Sequence, residues 1–216
     1  LSVYTDSGPA WQGFGTVTRY PRRGEFKFDG GKEAHSSAGL GIRFYDGGTA
    51  ELKGSISWLM PTDPKAIIAL HRDFRSAEAF EMQAIRRSME SAATFSGPTM
   101  SSFESAAGKR NELLQILNDQ TLHGVYKTIR QTERVKDVAG IERDTAVTKI
   151  VKDERGAPVR AQASYVEQYK VTMLPMTIHR IDYEERVEKQ IREQQQATNA
   201  AIVAKAETQR DSEKRS

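Results

Sequence analysis

Four histidines, His35, His71, His123 and His179, are the side chains of this 216-residue chain best suited to ligate zinc or to move protons near neutral pH. They are far apart in sequence, and no two of them stand at the helical or strand spacing that a metal site uses. His71 precedes Arg72 and Asp73 and reads as a solvated or capping residue, and His123 falls where a cation suits a helix C-terminus. Glu184, Glu185 and Glu188 have the density of an acid–base pair. However, Glu185–Lys189 and Glu188–Arg192 are also i,i+4 pairs with the acid first, which support a helix by about 0.2–0.5 kcal/mol each. Gly108-Lys109 ends like a phosphate loop, but Arg110 replaces the Ser or Thr and Phe103 stands where the first glycine belongs. Gly13-Phe14-Gly15 is half a dinucleotide fingerprint, without the strand-to-helix context that gives such a turn its meaning.

No Gly-x-Ser-x-Gly elbow and no Ser-x-x-Lys spacing occurs. With no cysteine, a disulfide framework, a thiolate nucleophile and cysteine-ligated zinc or iron–sulfur are excluded. Lys127, Arg130, Arg134, Lys136, Arg143, Lys149, Lys152, Arg155 and Arg160 alternate with acids such as Glu133, Asp144 and Asp153, a solvated surface rather than a phosphate-tracking stripe. Tyr165 and Tyr169 share a parity and read as core rather than as a base-stacking platform, and the six methionines are scattered like gap fillers. The expectation is a chain with no catalytic residues, cofactor, metal or nucleic-acid partner.

Composition frames the same conclusion. Charged residues are 28% and hydrophobic ones 38%, with a net charge of +3, so the chain is neither disordered by composition nor membrane-embedded. Nothing approaches the ~18 consecutive apolar residues of a membrane span. Eleven of the 16 glycines lie at or before Gly54, and the last proline is Pro175. Turns in front and no breakers behind predict strands first and a long helix last.

From Thr49 to Met60 the even positions read Ala50, Leu52, Gly54, Ile56, Trp58 and Met60, the period of a half-buried strand. Leu40, Ile42 and Phe44 alternate before it, and Asp46-Gly47 predicts a hairpin over 40–60. Residues 14–28 resemble a weaker strand pair. Asp63-Pro64 opens a helix over 65–72, Ser76 caps one carrying Phe80, Ala84, Ile85 and Met89, and Ser101-x-x-Glu104 is a capping box. The helix from that box shows Leu113, Leu114, Ile116, Leu117 and Leu122, with a break possible at Gly108 and an end near His123-Gly124. Alternation over 159–173, facing 145–151 across Asp153–Pro158, predicts a second hairpin.

The segment 183–216 contains no Gly or Pro, and its 34 residues would span roughly 50 Å as one helix. Val187, Ile191, Thr198 and Ile202 recur at an eleven-residue offset, and Ala197, Ala200, Ala201 and Ala204 form a small-residue face. A helix so poor in large apolar side chains draws its stability from neighbours. Val187, Ile191, Ala197, Ala201, Ile202 and Ala204 are therefore the expected interface between subunits.

The order of these elements resembles the SPFH (band 7) superfamily of stomatins, prohibitins and flotillins. Three stretches carry the resemblance. They are Asp46-Gly47-Gly48-Thr49-Ala50-Glu51-Leu52 with Gly54–Trp58, then Arg110–Leu117 closed by Gly124-Val125, and Val171-Thr172-Met173 through Ile178–Tyr183 into Val187 and Gln190-Ile191. The resemblance covers residues 40–216. It implies an α+β fold with a mixed or antiparallel sheet and packed helices, followed by a long C-terminal coiled-coil helix. The expected division is a β-rich lead over 1–39, an SPFH-like domain over 40–182 with a charged hairpin insertion over 127–170, and an assembly helix from 183. The function implied is a non-catalytic scaffold. Such domains gather as a homo-oligomer of many subunits, a ring or cage on a membrane, anchored by a segment preceding Leu1. The cage organises a membrane patch and its client proteins, a membrane protease among them. A soluble oligomeric module with a coiled coil and no membrane role is the competing reading. The side of the membrane is open.

Overall fold

The alternating run at 49–60 is the centre of the structure. A computed structural model describes residues 2–4, 15–32, 35–136 and 142–214, with the backbone alone for 136, 201 and 205–214. The fold is α+β, with antiparallel sheets and packed helices. Strand β3 (Thr49–Leu59) buries Ala50, Leu52, Gly54, Ile56 and Trp58 and leaves the intervening residues partly exposed. Each edge of β3 is shared by two shorter strands. Along one edge run β1 (Arg23–Phe28), paired over 54–59, and β2 (Leu40–Arg43), paired over 49–52. The partners of the other edge come from the far end of the chain and are given below.

Two expectations change here. The strand pair expected over 14–28 is one strand, β1, and its partner is β3. Phe26 and Phe28 of β1 lie in the same core as Trp58, so residues 23–28 belong to the main sheet and 39 is no boundary. The 40–60 hairpin closes by a five-residue loop rather than a tight turn: Phe44 N–H donates to the Gly48 carbonyl at 2.9 Å, and Gly47 alone takes a positive φ, +81°.

Helix starts follow their caps. Asp63 accepts from Lys65 N–H at 3.0 Å to open α1 (Pro64–Phe74), and Ser76 accepts from Ala79 N–H at 3.1 Å to open α2 (Ala77–Phe80). A π-helical turn (Glu81–Ile85) leads from α2 into α3 (Arg86–Ser96). Ser101 and Glu104 form the reciprocal capping box before α4 (Ser102–Glu104). The chain then passes a second π-turn, where Gly108 leaves helical geometry, and enters α5 (Arg110–His123). Leu113 and Leu117 of α5 are buried, as their spacing predicts.

The second hairpin has different partners from those the alternation predicts. Strand β4 (Thr128–Lys136) pairs over nine residues with β5 (Glu142–Ile150), a separate two-stranded sheet. The turn at 153–158 does form, with Asp153 Oδ1 accepting from the N–H groups of Arg155 and Ala157, both at 2.9 Å. Its return limb ends near 160, because Lys127 N–H donates to Val159 O at 2.7 Å and Ala161 N–H to Val125 O at 2.9 Å. Residues 161–171 then run irregularly across the helices. Val166, Tyr169 and Val171 are core residues, and Tyr169 donates to Asp73 at 2.8 Å. Burial of every second or third side chain on an irregular path imitated strand alternation. Tyr165 stands at the rim with the Arg87 guanidinium 5.4 Å from its ring centre. The chain rejoins β3 as β6 (Thr172–Met173) and β7 (Thr177–Tyr183), which together line its other edge over 58–59 and 50–55.

At the π-turn, Glu81 is buried and divides its carboxylate. Oε1 accepts from Trp58 Nε1 at 2.8 Å, and Oε2 lies 2.5 Å from His35 Nδ1. His35 holds a left-handed φ of +62°, and its Nε2 is 3.7 Å from Glu78. On the same loop, Arg86 donates to Ser37 Oγ at 2.5 Å and to Ala38 O at 2.6 Å. The hydrogen bond to Glu81 raises the His35 pKa, although burial opposes it, and burial raises that of Glu81 against its two hydrogen bonds. Both groups therefore hold protons more tightly folded than unfolded. The His35 contribution is complete below its ordinary value of 6.5 and is lost as pH rises through the raised folded value. The Glu81 contribution disappears in the same direction, starting from 4.5. With the imidazole 37% exposed, screening holds the His35 effect to about 0.5 kcal/mol. Unfolding midpoints should fall from pH 6 to pH 8.5, and His35→Asn, at ease with positive φ, should flatten that fall. Equal slopes in both proteins would remove His35 as the cause.

Candidate functional site at the root of the long helix

Helix α6 (Glu185–Lys214) is 30 residues, about 45 Å at 1.5 Å per residue. What positions it is the loop before β3. Asp46 turns one carboxylate oxygen onto Gly48 N–H at 3.1 Å, and the other onto the N–H and Oγ of Ser102, at 2.9 and 2.7 Å. The loop is thereby tied to the first turn of α4, where an anionic side chain meets free amides. Tyr45 adds a hydrogen bond to Glu104 at 3.4 Å. Gly48 permits the closest approach at this point: a methyl group there would sit 2.5 Å from Ser102 Oγ and 3.1 Å from Val187 Cγ2.

Strand β7 delivers the chain onto this platform. Tyr183 stacks on Phe44, with ring centres 6.2 Å apart, and its hydroxyl lies 2.9 Å from Ser105 Oγ. Glu184 N–H donates to Thr49 O at 3.0 Å, continuing the β3–β7 ladder by one rung, while Thr49 Oγ1 donates to the Glu184 carboxylate at 3.2 Å. The Glu184 carbonyl then accepts from the N–H groups of Val187 and Glu188, at 2.9 and 3.1 Å. One residue thus ends the strand and begins the helix, which sets the direction of α6 relative to the sheet. Lys53 braces the approach, 3.1 Å from Asp182.

The expected interface residues separate along α6. Val187 is 1% exposed and closes this root, so it holds the helix to its own domain and is not presented to a neighbour. Ile191 is half-buried. Ala197 and Ala204 are exposed, and Ile202 and Val203 are 60% and 55% exposed. The side chain of Ala201 lies outside the described residues. The pairs Glu185–Lys189 and Glu188–Arg192 are not formed; Lys189 instead lies 3.9 Å from Glu193, and Arg192 Nε turns to the Glu188 carbonyl. The sequence marks Asp46 as a turn residue and Glu184 as one of an acidic cluster, but it does not bring them together with Ser102, Ser105 and Tyr183 at one root. Their signal was an Asx turn and a capping box, two local motifs whose meeting in space no local pattern encodes.

The histidines disperse. His35 pairs with Glu81 and His71 Nδ1 lies 2.9 Å from the Tyr20 hydroxyl. His123 borders a shallow depression of about 410 Å³ with Arg160, Gln162 and Glu167. Beside it, Arg160 is committed to Asp119 at 2.7 Å and to the Gly124 carbonyl at 2.6 Å. Burial, with the Asp119 carboxylate, pushes the Tyr126 hydroxyl up to about 12, so it serves as a donor at any ordinary pH. Among the described residues no group of three His, Asp or Glu side chains is arranged to hold a metal, and no helix is long and apolar enough to cross a membrane. Comparison of the chain with protein-family models, with curated proteins and with solved structures found no match.

Proposed function

We propose that this chain is the body of a self-assembling, membrane-associated scaffold of the SPFH kind, a structural rather than catalytic protein whose subunits join along α6 as a coiled coil. One observation carries the reading. The helix is fixed at its root by Tyr183, Glu184 and Val187 and then leaves the domain, with Ile202 and Val203 largely exposed. An isolated helix of this length and composition is marginal in water. Full burial of each of these two side chains against a neighbour would stabilise the assembly by roughly 1.5–3 kcal/mol. The rigid root gives every copy the same helix direction, which a closed ring of many subunits requires. The mixed charges of Lys189, Arg192 and Glu193 on the exposed faces would set the register between neighbours. Gathered side by side on a bilayer, such subunits would enclose a membrane patch and retain client membrane proteins, a protease among them.

The test follows from the root. A chain ending at Gln195 keeps Tyr183 through Ile191 and should fold. Its particle mass in mild detergent should fall from a large assembly to a monomer or dimer, and Ile202→Asp with Val203→Asp should act in the same direction. An assembly of unchanged mass in both variants would overturn the α6 interface. A large assembly that fails to float with liposomes would leave a soluble oligomeric module.

A further inference from the structure

The β4–β5 hairpin is the part of the chain that the proposed function leaves unused. It is nine rungs long, a sheet of its own, and β5 leans on the turn Gly97–Thr99, where Val147 is buried. A two-stranded ribbon is marginal in water unless a third strand or a packed layer completes it. Ile129 on β4 is exposed, and beyond β5 the backbone groups of Thr128–Val135 find no partner among the described residues. In an antiparallel pair alternate residues turn both N–H and C=O outward, so the outer edge of β4 is a free template.

We propose that this edge receives the β5 strand of a second copy of the chain, head to tail, so that hairpins of successive subunits form one antiparallel ribbon. The proposal rests on the self-assembly reading for its partner, but uses a different surface from α6. Charge selects the arrangement. Placing the neighbour's β5 on β4 in the register already used within the hairpin sets Arg134 opposite Asp144, with no like charges facing over 128–135. Within the hairpin Arg134 and Asp144 approach to 3.5 Å, both largely exposed, so each has room for a second partner on its other side. The two-fold alternatives are worse. In full overlap, β4 on β4 brings Arg130 opposite Arg134, and β5 on β5 brings Arg143 opposite Lys149. Directly opposed like charges destabilise a strand pair, and each two-fold arrangement repeats its clash. Head-to-tail addition also leaves a free β4 at one end and a free β5 at the other, so it propagates around a ring.

The absence of cysteine from the chain makes the test clean. An Arg134→Cys chain and an Asp144→Cys chain, both full length, are mixed, allowed to assemble and mildly oxidised. Directly opposed strand residues lie within disulfide reach, so the mixture should give a crosslinked dimer in roughly tenfold excess over either chain alone. A mixture no better than the single chains overturns the ribbon, and so does crosslinking of Arg134→Cys or of Asp144→Cys to itself. Particle mass is read on the same samples. A large assembly without the crosslink sinks the hairpin contact and leaves α6 standing, whereas crosslinked pairs without a large assembly would support the contact and sink the α6 reading.

Discussion

Replacing Trp58 with alanine should lower the unfolding free energy by about 4–5 kcal/mol, a large share of the roughly 5–15 kcal/mol available to a domain. The indole is fully buried at the end of β3 and begins a chain of edge-to-face rings. Its centre lies 5.6 Å from that of Phe80, which is 5.3 Å from Phe74, which is 5.1 Å from Tyr169. These four side chains come from β3, α2, α1 and the irregular segment before β6, so the cavity left by alanine opens where four parts of the chain meet. The substitution also removes the Nε1 donor to Glu81, leaving half of a buried carboxylate unpartnered. Trp58→Phe isolates that second loss and should cost about 1–3 kcal/mol, the range for stranding a buried polar group. Denaturant midpoints at unchanged slope are the measurement. A cost below about 2 kcal/mol for the alanine variant would mean that the core collapses to fill the site and that Trp58 does not hold these four parts of the chain together.

Gly54→Ala should cost about 3 kcal/mol, at the upper end for overpacking, and it should loosen α6 as well. A methyl group on Gly54 would stand 2.0 Å from the Thr177 carbonyl oxygen and 3.1 Å from Ile178 Cα. Both are backbone atoms of β7 and cannot swing aside as a side chain can. The site is a bulge: Lys53 pairs with Arg180 and Gly54 with Ile178, so His179 is the extra residue of β7. The bulge decides which residue of β7 reaches the end of β3, and hence that Glu184 arrives opposite Thr49 and Val187 at the platform. Pushing β7 outward should therefore lower the thermal midpoint and speed proteolysis between the body and the helix. Gly41→Ala is the control, since a methyl group at that position of β2 meets nothing within 4 Å and should change stability by less than about 0.5 kcal/mol. Equal losses in the two variants would show that steric contact with β7 is not the reason.

Periodicity and end signals were legible wherever one element alone produces them. The burial of β3, the caps at Asp63, Ser76 and Ser101, the break at Gly108, the stop at His123 and the uninterrupted helix after Tyr183 are consequences of local chemistry, and each follows from residues within a few positions. An α+β chain that ends in a long helix was therefore readable from order alone.

Partnership was decided by the tertiary structure, because a period of two states that a face is buried without naming what buries it. β1 joined β3 rather than a strand from 14–20, since the free edge of an eleven-residue strand offers more hydrogen bonds than a second weak segment. The partner of β5 proved to be β4, and residues 161–171 gave up the alternation they display to carry Val166 and Tyr169 into the helices, where apolar burial outweighs ladder bonds. Val187 and Ile202 look equivalent along the helix, yet one closes the root and the other stands in solvent. The difference is made by a bulge at Gly54 and a loop at Asp46, more than a hundred residues earlier, which fix where the first turn of α6 touches the domain and where it departs.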